Sequence, residues 1–582
     1  MYKVLILVLG LLMISSAVAD DKIPINPVKP PVLGPPMTLE DGLKTVDSET
    51  KVALAYLKRY VKEEDKNYIQ FLTSYALPKE MRNDAALCAS FLLHSLVGPS
   101  PDLDNNNAGG YYPLALIATD KQNGRKWFIP YQRVPGSTTL YWLDLRDYNL
   151  TKQSWEDAAG LDNYFAEPIV QHQNATSLRL EDGNSVLRMD WFIRHVADTS
   201  TQVDNDETPF LYYNFLFSQV EPPITVTQFE GHFTLNRELS RIRGNEYGVL
   251  VTQSQQVARN NRYLFYYDTE YGGWFHTFDV KNQRGERNYA ESFFTNPKIG
   301  TPPLVHDASE VFGSNAVGML VYGLGDDKDK LITDGATQVV RHINDVLGDV
   351  RVRTPHGCMD CHASGPLPSE NVIKKFFKDS ENTALYVKNK SDYNRVKRVF
   401  LSEKFDKGVL DIQKKYADAL LEVNGLTPEE NGRIYLDLVN WYEEPLDIKQ
   451  AAFECGVSVD EFITKVNKVK FGNRLKFLTK TGEPIPRNTW EAPTTDGIPG
   501  DFQMANLAIH GFTRITETES IIINPEYSLK EDTWSMIKTD KIVLIPKDTV
   551  VKQLSSVDQW IYVKYNDKLG YVNLENLEVV NK

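Results

Sequence analysis

Cysteine, positive charge and long apolar runs are all scarce in this sequence. Four cysteines in 582 residues are too few for a disulfide framework, so a packed apolar core has to hold the chain together. The net charge of −14 argues against nucleic acid or an anionic membrane surface as partner, and solubility is its plain explanation. Beyond the amino terminus no apolar run is long enough for a bilayer-spanning helix, so we expect no transmembrane segment in the mature chain.

Two of the four cysteines nevertheless lie together in one heptapeptide, His356-Gly357-Cys358-Met359-Asp360-Cys361-His362. Cys-x-x-Cys-His is the pattern that attaches c-type haem. Its two thiols add to the vinyl groups of the porphyrin, and the adjacent histidine becomes an axial ligand of the iron. The heptapeptide therefore predicts one haem c, attached through Cys358 and Cys361 and ligated by His362.

Two other chemistries use closely spaced cysteines. A zinc half-site would place His356 or His362 beside the two thiolates, and a thioredoxin-like pair would cycle between dithiol and disulfide. Zinc usually needs a second pair of closely spaced ligands, whereas the other cysteines, Cys88 and Cys455, are single and far away in the chain. These two either pair as a disulfide or remain isolated buried thiols.

A secretory signal peptide is predicted at residues 1–19. One lysine, an apolar run from Val4 to Ile14 and the small residues Ala17-Val18-Ala19 form its three parts. The apolar run is too short to span a bilayer, so cleavage after Ala19 should release a periplasmic or secreted protein. That location suits a haem that is normally attached outside the cytoplasm. Residues 20–39 are a proline-rich linker, which we expect to be an extended tether.

The residue composition and the spacing of apolar residues in the remaining chain predict an α+β multidomain protein. Short runs rich in aromatic and β-branched residues, broken by turn residues, predict a mixed α/β domain with an antiparallel β core at 40–345. Apolar residues at three- and four-residue spacing predict a helical haem c domain at 346–475, followed by a connecting segment at 476–525. Local expectations are strands over Ile224–Phe229, 247–251, 263–267 and 273–280, and one helix over Ser391–Leu421.

The last segment, 526–582, is predicted to be a small β-barrel. Its short alternating strands are expected at 541–546, 549–552, 560–565 and 568–572. With Gly570-Tyr571-Val572 after an aromatic strand, it resembles the bacterial SH3-like domain. Such modules often bind cell-wall peptides or other proteins, which implies a candidate ligand of that kind, and a purely structural role is the alternative.

A broader resemblance covers roughly residues 50 to 470. The chain is similar to a family of large secreted single-haem c-type cytochrome proteins, which implies haem binding and a redox role but no particular substrate. Ala308-Ser309 stands where that family usually has Gly-Gly, and the proline that usually precedes the turn at Gly318 is missing. The matching residues are Leu143-Asp144-Leu145-Arg146-Asp147-Tyr148, Trp155, Arg259-Asn260-Asn261-Arg262, Gly273-Trp274, Phe278-Asp279, His306-Asp307, Glu310, Gly318, Tyr322, Asp326 and Ile332.

The second axial position of the iron has no obvious occupant downstream of the motif. Class I cytochromes c resemble one another in placing a ligand methionine some tens of residues after the haem site, but here the next methionine is Met504. The candidates must then lie upstream, and they are His306, Met319, His342 and His356. We predict that His306 lies on the distal face of the haem, because Asp307 or Glu310 could fix its ring through the second nitrogen. A structural histidine that caps the segment beginning at Asp307 is the alternative.

Three functions follow from these features. The first is electron transfer to and from an unknown redox partner protein through one covalent haem. The second is a haem enzyme of peroxidase or oxidase type with an open or displaceable sixth position, which the large β domain favours. The third is a cell-envelope binding protein in which the SH3-like end binds the ligand and the haem acts as a sensor.

Overall fold

The computed structural model of the protein is mixed α and β. It describes residues 52–53, 55–74, 76–99, 132–134, 137–155, 186–196, 211–252, 261–279, 306–333, 335, 352–363, 365–377, 390–455, 457–468, 473–491, 501–510, 526–529, 533–537, 541–545, 550–557, 560–565, 568–573 and 577–579. The predicted signal peptide and linker lie outside the described residues, as does His342. Within the described part of the chain, no helix is long and apolar enough to cross a membrane.

The helices occupy both halves of the chain and are densest after the Cys-x-x-Cys-His motif. Capping boxes begin two of them, from Thr225 with Gln228 and from Thr427 with Glu430. In chain order they are α1 (Arg82–Ser95), α2 (Met189–Val196), α3 (Leu211–Leu216), α4 (Val226–His232), α5 (Arg237–Arg243), α6 (His356–Cys361), α7 (Val372–Phe376), α8 (Lys390–Val399), α9 (Lys404–Val423), α10 (Pro428–Glu443), α11 (Ile448–Glu454), α12 (Val459–Lys468), α13 (Asn473–Thr481), α14 (Arg487–Trp490) and α15 (Asp501–His510).

The strands before the motif form two sheets. The first has the order β2-β3-β1-β4, and β4 is parallel to β1. The second has six strands in the order β10-β9-β8-β7-β6-β5, an antiparallel meander that follows the chain. The strands are β1 (Ile69–Thr73), β2 (Gln132–Arg133), β3 (Leu140–Asp144), β4 (Val186–Arg188), β5 (Glu246–Thr252), β6 (Asn261–Tyr267), β7 (Trp274–Asp279), β8 (Ala308–Ser314), β9 (Leu320–Asp326) and β10 (Leu331–Ile332).

The carboxyl-terminal segment consists of β-strands, as its alternating pattern predicts. Five of them form an antiparallel sheet in the order β16-β15-β14-β11-β17, and β12 pairs with β13 as a hairpin. The strands are β11 (Glu526–Leu529), β12 (Thr533–Ile537), β13 (Lys541–Ile545), β14 (Val550–Val557), β15 (Trp560–Tyr565), β16 (Lys568–Asn573) and β17 (Leu577–Val579).

The main core does not stop at the predicted boundary between residues 345 and 346. One cluster of buried apolar side chains contains Phe275 and Tyr322 of the six-stranded sheet together with Tyr416 of α9 and Leu438 of α10. The sheet and the following helices therefore bury their apolar faces against each other. None of the four cysteines forms a disulfide, so Cys88 and Cys455, whose pairing the sequence leaves open, are separate buried residues.

Two local predictions are wrong. Ile224–Phe229 is not a strand, because Thr225 and Gln228 form the capping box of α4. Their side chains satisfy the first backbone N–H groups of a helix, and this outweighs the strand preference of the β-branched residues. Ser391–Leu421 is not one helix but two, α8 and α9, with a break at 400–403. The strands predicted over 247–251, 263–267 and 273–280 are confirmed as β5, β6 and β7.

A buried ionic cluster joins the first sheet to the last helices. Glu454 of α11 accepts hydrogen bonds from Arg487 at 2.8 Å and from the Trp490 indole at 2.8 Å, and Arg188 of β4 lies 3.4 Å away. Arg188 also binds Asp190 at 2.6 Å. Burial alone would raise the pKa of Glu454, but the neighbouring Arg487 and Arg188 lower it by more. The net shift of the pKa is downward, so the carboxylate stays ionised.

Substituting Glu454→Gln should therefore lower the free energy of unfolding by about 3–5 kcal/mol, because it leaves buried guanidinium charge uncompensated. The measurement is the midpoint of urea unfolding followed by tryptophan fluorescence. Glu403→Gln is the control: this exposed carboxylate binds Lys374 at 2.7 Å on the surface, and its loss should change stability by less than about 0.5 kcal/mol. Equal midpoints for the two variants would contradict the role assigned to Glu454.

Candidate haem-attachment site

The Cys-x-x-Cys-His motif forms the short helix α6 and the residue that follows it. Cys358 and Cys361 are three residues apart in the helix, so their side chains lie on the same side of it. Cys358 is buried, with 1 % of its surface exposed, whereas Cys361 is half-buried. His362 ends the helix, and its backbone N–H donates to the carbonyl of Cys358 at 2.8 Å. One end of the motif is therefore in the core and the other is near the surface.

The imidazole of His362 is held from two sides. Its Nδ1 lies 3.4 Å from the carbonyl oxygen of Gly365. Its ring packs on Phe312 of β8, with ring centroids 4.8 Å apart and planes at 32°, and it is stacked with Tyr322 of β9 at 6.4 Å. When Nδ1 donates its proton to a carbonyl, the lone pair on Nε2 is available to a metal.

Glu310 of β8 faces that second nitrogen. Its Oε1 lies 3.6 Å from Nε2 of His362, and its Oε2 accepts from Arg262 at 2.8 Å. Arg262 of β6 in turn binds both carboxylate oxygens of Asp279 at 2.6 and 2.9 Å. Thr277 accepts from the Glu310 backbone N–H at 2.8 Å, so the strand is fixed at this residue. Residues of the neighbouring strands β6, β7 and β8 thus form a network of charged hydrogen bonds beside Nε2 of the His362 imidazole.

Burial and neighbouring charges determine the protonation states of Glu310 and Cys358. Burial alone would raise the pKa of Glu310, but the guanidinium of Arg262 and the neighbouring imidazole of His362 bring it down to about 2. Burial also raises the pKa of the Cys358 thiol well above its ordinary value, and nearby Glu310 adds to the rise. Glu310 is therefore an anion at neutral pH, and Cys358 is held in its uncharged form.

The residues fit a covalent haem better than the two alternatives. A reactive redox cysteine needs a lowered pKa, whereas burial raises the pKa of the Cys358 thiol. A thioether sulfur carries no charge and suits the same apolar surroundings. In the described residues no cluster of three or more His, Cys, Asp or Glu side chains is arranged to hold a metal by itself. Haem iron needs only one or two protein ligands.

The upstream candidates for the second axial position lie in different environments. His306 is half-buried just before β8, and its ring packs edge-to-face on Phe278 at 5.1 Å. Met319 is fully buried in the apolar core in front of β9, and the Nδ1 of His356 lies 2.8 Å from the Tyr435 hydroxyl. Phe278 and Asp279 are adjacent in β7, so the ring that His306 contacts is on the opposite face of the sheet from Asp279; the distal role of His306 stays a prediction.

Glu310 and Arg262 are the functional candidates that the sequence reasoning missed. Both stand in the segments that carry the family resemblance, but Glu310 was interpreted only as a partner for the His306 ring. The alternation of side chains along a strand could have identified Glu310. Glu310 and Phe312 are two residues apart in β8, so their side chains lie on the same face of the sheet. If one of them contacts the haem motif, the other does as well.

No family model matches this chain, and no match was found among curated proteins or solved structures. The function proposed below therefore depends on the residues of the site themselves.

Helix α10 contacts the motif at both of its ends. A Cβ atom added at Gly432 would lie 2.2 Å from the Cβ of Ala363, the residue after His362. Tyr435, one turn further along the same helix, contacts His356 at the start of the motif. A glycine is required at 432 because the two backbones approach too closely for a side chain.

Gly432→Ala should destabilise the protein by about 1–3 kcal/mol through overpacking and reduce the fraction of chains with covalently attached haem. Gly231→Ala is the control, since that position in α4 has nothing within 4 Å of the added Cβ and alanine favours a helix. The measurements are the urea midpoint and the haem-to-protein ratio of the purified chains. If the two variants were equally stable and equally loaded, close packing at Gly432 would not matter.

Proposed function

We propose that this protein is an extracytoplasmic c-type haem protein that transfers electrons through one covalently attached haem. Cys358 and Cys361 form the thioether links, and His362 is the axial ligand. The observation that carries the proposal is the arrangement of α6: two thiols on one side of a helical turn, followed by an imidazole whose Nδ1 faces a carbonyl. When bound, the haem supplies an iron that takes up and releases one electron.

The burial of the motif supports transfer to a partner protein. Cys358 is buried among apolar side chains, while Asp360, Cys361 and Ala363 are only half-buried. A group bound along this helix would be largely shielded from water and would still have one edge near the surface. A redox partner that binds at such an edge comes close to the haem, while the iron stays shielded from water. The partner itself is an unknown protein.

A haem enzyme is the second candidate, and a specific observation favours it. The anionic Glu310 and the cation Arg262 face the iron-binding nitrogen of His362 from β8 and β6. Buried charged groups beside a reactive centre are typical of catalytic sites. Turnover of peroxide with a reducing dye distinguishes the two functions, because an electron carrier exchanges single electrons with the dye but does not catalyse the reduction.

The remaining features of the proposal come from the sequence. The signal peptide places the mature protein in the periplasm or outside the cell, and the resemblance to secreted single-haem cytochrome proteins agrees with haem at this site. We also propose a β-rich part, a helical haem part that shares its core, and an SH3-like barrel at 526–582. The antiparallel pairing of β11 and β14–β17 supports the barrel. A cell-wall peptide or protein is its candidate ligand, with haem then acting as a sensor.

The central test is the double substitution Cys358→Ala with Cys361→Ala. Expressed with a c-haem maturation system, the parent should retain haem on a denaturing gel and the double variant should lose the haem stain completely, because the thioether links need both sulfurs. Cys88→Ala with Cys455→Ala is the matched control and should stain like the parent, since both thiols are buried apart from the motif. Haem that stayed attached without Cys358 and Cys361 would overturn the proposal.

A further inference from the structure

The carboxylate of Glu310 and the imidazole of His362 form a close contact beside the Cys-x-x-Cys-His motif. Oε1 of Glu310 lies 3.6 Å from Nε2 of His362. This is too long for a normal hydrogen bond. A metal ion bound between an imidazole nitrogen and a carboxylate oxygen separates those atoms by about 4 Å, since each bond is about 2 Å. The observed 3.6 Å is an ion-pair distance and slightly shorter than this, so a small shift of the Glu310 side chain would let one iron ion bind both atoms.

The second oxygen of the same carboxylate is also arranged as expected for a ligand. Oε2 accepts from Arg262 at 2.8 Å, and Arg262 is locked by two hydrogen bonds to Asp279. A metal-binding carboxylate commonly has its other oxygen hydrogen-bonded, which orients the first oxygen toward the metal. The side chain of Glu310 is 11 % exposed, so water competes little for Oε1.

We propose that Glu310 is the sixth ligand of the haem iron, binding through Oε1 opposite His362, with Arg262 as a positioning residue. The proposal rests on haem attachment at Cys358 and Cys361. It names a residue four positions after His306, the predicted distal group, and its ligand atom is a carboxylate oxygen. An anionic oxygen ligand stabilises ferric iron more than ferrous iron, because the ferric ion carries the larger charge.

The opposite face of the same sheet offers a matched control. Glu230 of α4 is also buried, and its carboxylate binds His276 Nδ1 at 2.6 Å and Arg237 at 2.5 Å. His276 and Asp279 are three residues apart in β7, so their side chains lie on opposite faces. Glu230→Gln therefore removes an equally buried carboxylate with an arginine and a histidine as partners, but on the face away from the haem motif.

The experiment compares full-length parent, Glu310→Gln, Glu310→Ala, Glu230→Gln and His306→Ala, each expressed with a c-haem maturation system. Haem staining first establishes attachment in the parent; its absence there would refute the proposed function rather than the ligand. The ferric parent should have a high-spin absorption and paramagnetic resonance spectrum typical of an anionic oxygen ligand. Both Glu310 variants should lose that spectrum, and Glu230→Gln and His306→Ala should keep it.

Two further readouts make the assignment specific. Added imidazole should bind the ferric Glu310→Ala variant at least about tenfold more tightly than the parent, because no internal ligand has to be displaced, and added acetate should restore the parent spectrum. The reduction potential of Glu310→Gln should be higher than that of the parent. If spectra and potentials of the Glu310 variants match the parent, or if only His306→Ala changes them, the proposal is wrong. Should neither Glu310 variant retain haem, a low-spin ferric parent would overturn the assignment and a high-spin anionic spectrum would support it.

Discussion

A charge buried in a protein core has to be paired, and this constraint organises the described part of the fold. Glu454, Glu230 and Glu310 are all buried, and each lies between two groups from other elements. Glu454 is near Arg188 and Arg487, Glu230 near Arg237 and His276, and Glu310 near Arg262 and His362. Removing one partner of such a set leaves the others desolvated and unpaired. The three carboxylates therefore fix which helices and strands come together, while the apolar core supplies most of the driving force.

The six-stranded sheet separates two of these clusters, and their histidines differ in a way that matters for function. Glu230 binds Nδ1 of His276, and burial together with Arg237 lowers the pKa of that histidine to about 4, so it stays neutral inside the core. At His362 the arrangement is reversed: a backbone carbonyl occupies Nδ1, and the carboxylate faces Nε2. Only the second arrangement presents to a carboxylate the nitrogen that Cys-x-x-Cys-His motifs use for iron.

Local patterns predicted much of the secondary structure. The strands at 247–251, 263–267 and 273–280 follow from aromatic and β-branched runs, and the Cys-x-x-Cys-His signal needs only five adjacent residues. The prediction failed at Ile224–Phe229, where two capping side chains override the strand preference. It also could not find the pairs Arg262 with Glu310 or Arg188 with Glu454, which are 48 and 266 residues apart. Such pairing depends on how the sheet and helices pack, and no spacing rule encodes it.

The motif is therefore local in sequence but its surroundings come from the whole fold. Helix α10 touches it through Tyr435 and Gly432, and the sheet touches it through Phe312, Tyr322 and Glu310. In an unfolded chain the two thiols and the imidazole are equally adjacent, but neither the apolar shield around Cys358 nor the carboxylate at Nε2 exists. Because a ligand that prefers the folded chain stabilises it, a haem attached at this motif would favour the docking of the helices onto the sheet. The helices after the motif thus complete the environment of the site.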